Sequence, residues 1–193
     1  LVGTVATRLG IESAWAGVLP FLLAVALACG LALSTLPLRG RVRADGPLAV
    51  HKQQTGASAM LDTIVFPQSA RQALVHVRDY TKGHPTISAN NHPVRHGSVV
   101  GIHNGIIEND DDLFVRHGIA RDEPEMTVDS EVIFALVDAR GTRTEVLEEL
   151  VGAMAAAWID ERDPLVLHLA RGVGRPLWLA RGRHEVLFAS ARA

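Results

Sequence analysis

The chain has 193 residues, 48% hydrophobic and 21% charged, which suits one domain with one well-buried core. Nineteen basic against 21 acidic residues leave a formal charge of −2, and aromatic residues make up 5%, so neither a nucleic-acid groove nor a stacking surface for single strands is expected. The single cysteine, Cys29, excludes an internal disulfide framework and a thiolate zinc cluster, and fits a reducing, cytoplasmic setting.

Residues 1–7 alternate loosely, carry β-branched side chains and predict a first strand. Residues 13–38 carry no charge, and 18–36 are almost continuously apolar with Arg39, Arg41 and Arg43 behind them, the length and flanks of a membrane span. Gly17, Pro20, Gly30, Ser34 and Thr35 interrupt this run and alanine makes up much of it, which favours a helix buried on all sides over a span or a corrupted stretch of sequence. Cys29 lies inside it, where a thiolate is disfavoured, and is expected to be a small packing residue.

Residues 48–50 and 73–78 predict two more strands, the latter with Leu74, His76 and Arg78 on one face and Val75 and Val77 on the other. The stretch 79–95, dense in Gly, Pro, Asn and Thr, is a long loop of the kind that carries function. Residues 98–103 predict a strand ending at Asn104-Gly105, followed by a helix over 110–117 that Gly118 stops. Asp129 is placed to cap a helix over 130–138, in which Val132, Ile133, Leu136 and Val137 share a stripe. Thr142 and Glu145 form a capping box for a longer helix, with Val146, Leu147, Leu150, Val151, Met154 and Trp158 at helical spacing. Residues 165–170, 177–180 and 186–190 predict three closing strands with turns at 172–174 and 181–183. Strands at both ends around central helices imply an α+β fold of packed sheets with helices outside.

Three features carry chemistry. Asn104-Gly105 offers a side-chain amide beside an unhindered backbone N–H, a pairing able to hold an oxyanion, although a hairpin turn uses the same dipeptide. Arg78 at a strand end can grip a carboxylate with two parallel hydrogen bonds. Asp129 can bind an ammonium group or cap its helix. Together they describe a pocket for an α-amino acid whose side-chain carbonyl is attacked.

The run His103-Asn104-Gly105-Ile106-Ile107-Glu108-Asn109 resembles the class II, N-terminal-nucleophile glutamine amidotransferase domain, most of all the glutaminase domain of glucosamine-6-phosphate synthases. Arg78, Thr81 and Gly83 match that family's His-Thr-Arg-x-x-Thr-x-Gly segment, and Asn90, His92 and Pro93 match its Asn-x-His-Pro. Asp129 and Glu131 fall on its Asp-x-Glu-Val segment, and Phe188-Ala189-Ser190 on its Phe-Ala-Ser strand. The resemblance implies a four-layer αββα sandwich of the Ntn-hydrolase type. It also implies hydrolysis of glutamine through an N-terminal cysteine thioester, with no metal or cofactor, and delivery of ammonia to a downstream synthase domain or partner. It assigns the glutamine α-carboxylate to Arg78 and the α-ammonium to Asp129, with Thr81 also on the substrate. Asn104 and Gly105 become the oxyanion hole, and His76, His92 and His103 have supporting places.

The family starts Cys-Gly-Ile/Leu-Val-Gly and this chain starts Leu1-Val2-Gly3, so the whole of 1–193 is expected to be a domain truncated at both ends and inactive as it stands, from an active parent enzyme. Lys82 takes the place of a histidine in the synthases, and Asp79-Tyr80 also departs from the pattern. Two rival readings are a binding or structural module without chemistry, and a metal hydrolase built on His92, His96 and His103. Pro93 and Gly97 argue against a helix that would bring those histidines together.

Overall fold

The computed structural model describes residues 3–8, 48–52, 59–60, 62, 71–79 and 81–191. The apolar segment 13–38, with Cys29, lies outside the described residues. Among those described, no helix is long and apolar enough to cross a membrane.

Five antiparallel strands form the main sheet: β1 (Gly3–Arg8), β2 (Val94–His96), β3 (Val99–Ile107), β4 (Gly152–Asp160) and β5 (Val166–Arg171), in the order β1-β5-β4-β3-β2. A separate hairpin pairs β6 (Trp178–Arg181) with β7 (Val186–Ala189). The helices are α1 (Asp110–His117), α2 (Glu131–Arg140) and the single turn α3 (Thr144–Leu147). Three aspartates in the first turn of α1 and Arg116 and His117 in its last complement the helix dipole, and Gly118 closes it with an N–H to the Phe114 and Val115 carbonyls.

Each face of the main sheet has its own core. On one side Val99, Met154, Ala156 and Trp158 pack with Leu113 and Phe114 of α1 and with Val132, Ile133 and Leu136 of α2. On the other, Ile102, Ala157, Ile159, Leu167 and Leu169 meet Leu48, Leu74, Leu177 and Phe188. Among the described residues the order is therefore helices, five-stranded sheet, then the β6–β7 hairpin with the segment 71–79. This is an α+β arrangement with antiparallel sheets.

Four sequence expectations are corrected. Residues 48–50 and 73–78 belong to no ladder and pack by side chains such as Leu48 and Leu74. The capping box at Thr142 and Glu145 does not form, α3 ends at Leu147, and the helix expected through Trp158 is β4 instead. The apolar run misleads because β4 is buried on both faces, so Met154 and Trp158 enter one core while Ala157 and Ile159 enter the other. Finally, β3 does not stop at His103 but continues through Asn104-Gly105 to Ile107, paired with β4 throughout.

Candidate active site

The extension of β3 determines what the Asn104-Gly105 pair can do. Alternate residues of an antiparallel strand turn both peptide groups to the same side. Glu108 gives its N–H to Val151 on the β4 side, whereas Met154, which stands opposite Gly105, turns away and bonds with Val173 and Gly172. His103, Gly105 and Ile107 therefore direct their peptide groups to the other edge of β3, which β2 covers only as far as Gly101. Two of the three are met there by side chains. Nε2 of His76 donates to the His103 carbonyl at 3.0 Å, and the Ile107 N–H donates to the Asp129 carboxylate at 2.7 Å.

Gly105 stands between these two contacts and lines a cavity of about 470 Å³. Gly105 has φ +149°, and a Cβ on it would collide with the Ala153 carbonyl, so the close approach of β3 to β4 at this point requires glycine.

That cavity gathers every site residue read from the sequence: His76, Arg78, Thr81, His92, His103, Asn104, Gly105 and Asp129. Arg78 is held by the loop that follows it. One of its terminal nitrogens donates to Asn91 Oδ1 at 2.7 Å, and the other to the Lys82 and Gly83 carbonyls, each at 2.7 Å. Burial pulls the guanidinium below its ordinary pKa, against the attraction of Asp129. Gly83 has φ +82°, and a Cβ there would stand 2.9 Å from the Val128 backbone, so the Arg78 loop lies directly on the residue preceding Asp129.

Asp129 is buried and does not cap α2; Ser130 is the N-cap residue, without a side-chain capping bond. The Asp129 carboxylate serves β3 instead. Asn104 donates from Nδ2 to Ser190 Oγ at 3.0 Å, and that nitrogen carries a second hydrogen. His103 is kept neutral by burial, so Nε2–H donates to the Ala153 carbonyl at 3.1 Å and Nδ1 accepts from Ser130 Oγ at 2.8 Å. His76 and His92 lie with ring centroids 4.2 Å apart. Burial lowers His76 to about 4 and His92 well below its ordinary value.

His96 turns away to Glu131, at 2.9 Å, so the three histidines of the metal reading have separate partners or surroundings. Among the described residues no group of three metal-ligating side chains gathers.

Sequence reasoning missed the groups that hold the site. Asn90 Oδ1 accepts from the Thr127 and Val128 N–H groups at 2.8 and 3.1 Å and so fixes the segment entering Asp129. Lys82, Asp110, Asp111, Arg121 and Glu131 form an ionic network. Asn90 was visible as part of the Asn-x-His-Pro match, but its partners 37 and 38 residues away were not. Lys52, lowered to about 8 by burial, donates to the Ser88 carbonyl at 3.0 Å.

Comparison with known proteins places the chain among glutamine amidotransferase domains. Residues 70–193 match the family model described as a glutamine amidotransferase domain. The glutamine–fructose-6-phosphate aminotransferase (isomerizing) of Zymomonas mobilis is 36% identical over 132 residues, covering 62% of this chain and 21% of that protein. The protein of the same name from Rhizobium meliloti is 31% identical over 158 residues, 78% of this chain and 24% of its own length, and that from Photorhabdus laumondii is 34% identical over 125 residues, 61% and 20%. The chain thus spans about a quarter or less of the curated relatives it matches. With the family model covering well over half of its residues, the chain belongs to the glutamine amidotransferase domain family.

Proposed function

We propose that this domain hydrolyses the side-chain amide of glutamine and releases ammonia to a separate acceptor site, supplied by a synthase-type domain or a partner. Arg78 grips the α-carboxylate and Asp129 the α-ammonium, with Thr81 at the rim of the cavity. The nucleophile is a cysteine two residues ahead of Leu1, and the domain is an Ntn-type αββα sandwich working in the cytoplasm. The registers support that position: Gly3 of β1, Arg171 of β5, Ala155 of β4 and Asn104 of β3 form one row across the sheet, so β1 begins at the end where Asn104 lies.

In the reaction, the cysteine thiolate adds to the amide carbon and the carbonyl oxygen becomes an oxyanion. The Gly105 N–H and the second Asn104 Nδ2 hydrogen receive that charge. The carbon–nitrogen bond then breaks, the amide nitrogen leaves as ammonia with a proton relayed by the cysteine α-amine, and water hydrolyses the thioester to glutamate.

The observation that carries this reading is Gly105 lining the cavity, between the two positions of β3 that His76 and Asp129 occupy. A non-catalytic module has no use for that donor beside a buried Asp129 and a restrained Arg78. The test is the chain preceded by Cys-Gly. Glutamate and ammonia released in equal amounts from L-glutamine support the proposal, and a folded protein without turnover overturns it.

A further inference from the structure

Resting on that reading, we propose that Lys82 is a positioning residue for the α-carboxylate grip, acting through Arg78. Lys82 is bound at both ends. Its backbone carbonyl, with that of Gly83, accepts one terminal nitrogen of Arg78 at 2.7 Å. Its Nζ donates to both oxygens of Asp110 at 2.7 Å and to Asp111 at 2.9 Å. Asp110 is the first residue of α1 and its side chain is 2% exposed, so the anchor belongs to the packed core of the domain rather than to a mobile surface.

The same carboxylates continue the connection. Arg121 donates to Asp110 at 3.0 Å, to Asp111 at 2.7 Å and to the buried Glu131 at 3.0 Å, and lies over the Phe114 ring at 4.5 Å. Glu131 opens α2, two residues after Asp129. One run of charge-assisted contacts therefore links the loop that holds Arg78 to the helix start beside Asp129. It sets the spacing between the groups assigned to the two charged ends of the substrate. Short contacts of this kind are directional and hold geometry better than a lone surface pair. Lys82 is also the member whose loss leaves no buried charge bare, because Asp110 keeps Arg121.

The experiment is calorimetric titration of the chain with L-glutamate, which carries the same α-carboxylate and α-ammonium as glutamine and is not turned over. Lys82→Met should weaken binding about tenfold, a loss in the range of coupled neighbours, with the thermal midpoint within a few degrees of the parent. Lys82→Arg should restore affinity to within about twofold. In an Arg78→Lys background the same Lys82→Met change should cost less than about twofold, because the group it positions is already altered. Equal losses in both backgrounds, or a loss that follows the thermal midpoint and is not restored by arginine, overturn the role of Lys82. An unchanged affinity in Lys82→Met while Arg78→Lys weakens binding also overturns it and leaves the glutamine reading standing. Failure of Arg78→Lys itself to weaken binding overturns both.

Discussion

The carboxylate of Asp129 accepts the backbone N–H of Ile107 at 2.7 Å, which fixes the segment leading into α2 to the strand that carries Asn104 and Gly105. The group proposed for the substrate ammonium is thus located by the same strand that carries the proposed oxyanion donors, Asn104 and Gly105.

This relationship separates two substitutions. Asp129→Asn keeps an oxygen for the Ile107 N–H but removes the charge, so L-glutamate binding should fall at least tenfold while the fold stays stable. Asp129→Ala also strands a buried N–H, and should lose a further ~1–3 kcal/mol of stability by urea denaturation. Equal binding by the parent and Asp129→Asn would contradict the ammonium role.

Asn104→Ala removes one of the two proposed oxyanion donors and leaves the proposed α-end contacts intact. In the chain preceded by Cys-Gly, kcat should fall by about 10²–10³, equivalent to ~2.7–4 kcal/mol, with little change in KM. A change confined to KM would place Asn104 in binding rather than catalysis.

Gly105→Ala meets the Ala153 carbonyl at a positive φ, so neither the backbone nor a rotamer can relieve it. The cost is expected to be at least ~1–3 kcal/mol in urea denaturation, the range of local backbone strain, together with loss of turnover. A variant as stable and as active as the parent would contradict the close packing of β3 on β4 at this point.

Stability should fall on acidification through the histidine range. Burial holds His76 at about 4 and also lowers His92 and His103, whereas each titrates near 6.5 when unfolded. Between about pH 6.5 and pH 4 the unfolded chain binds protons that the folded chain refuses, so unfolding free energy rises with pH across this window and is lost as pH drops. His76 alone accounts for on the order of 3 kcal/mol by pH 4. The urea midpoint measured from pH 7.5 to 4.5 should decrease, with the His76 ring still neutral by NMR at pH 5.5. A flat midpoint, or a His76 ring that titrates normally, would contradict the burial.

The candidate site was legible in the sequence as far as its groups come in short runs. Arg78, Asn104-Gly105 and Asp129 each sit in a motif with a fixed local order, and all reach one cavity. The terminal strands β5, β6 and β7 and helix α1 were legible for a similar local reason, being bounded by turn glycines or by Gly118. β4 was not, because a strand buried on both faces loses the alternation that marks strands, and Met154 and Trp158 happen to fall at helical spacing. Asp129 was misread locally because an aspartate before a helix is ordinarily a cap, and only the path of β3 reveals its partner. The Lys82, Asp110, Arg121 and Glu131 network joins residues as far as 28 positions apart, and no sequence period encodes such pairings.

The most direct test of the central claim is a crystal structure of the chain with L-glutamate bound. The account predicts the α-carboxylate on the Arg78 guanidinium, the α-ammonium on the Asp129 carboxylate, and a side-chain oxygen within hydrogen-bond distance of the Gly105 N–H. A glutamate bound in this cavity with its α-groups away from both residues, or bound elsewhere, would contradict it.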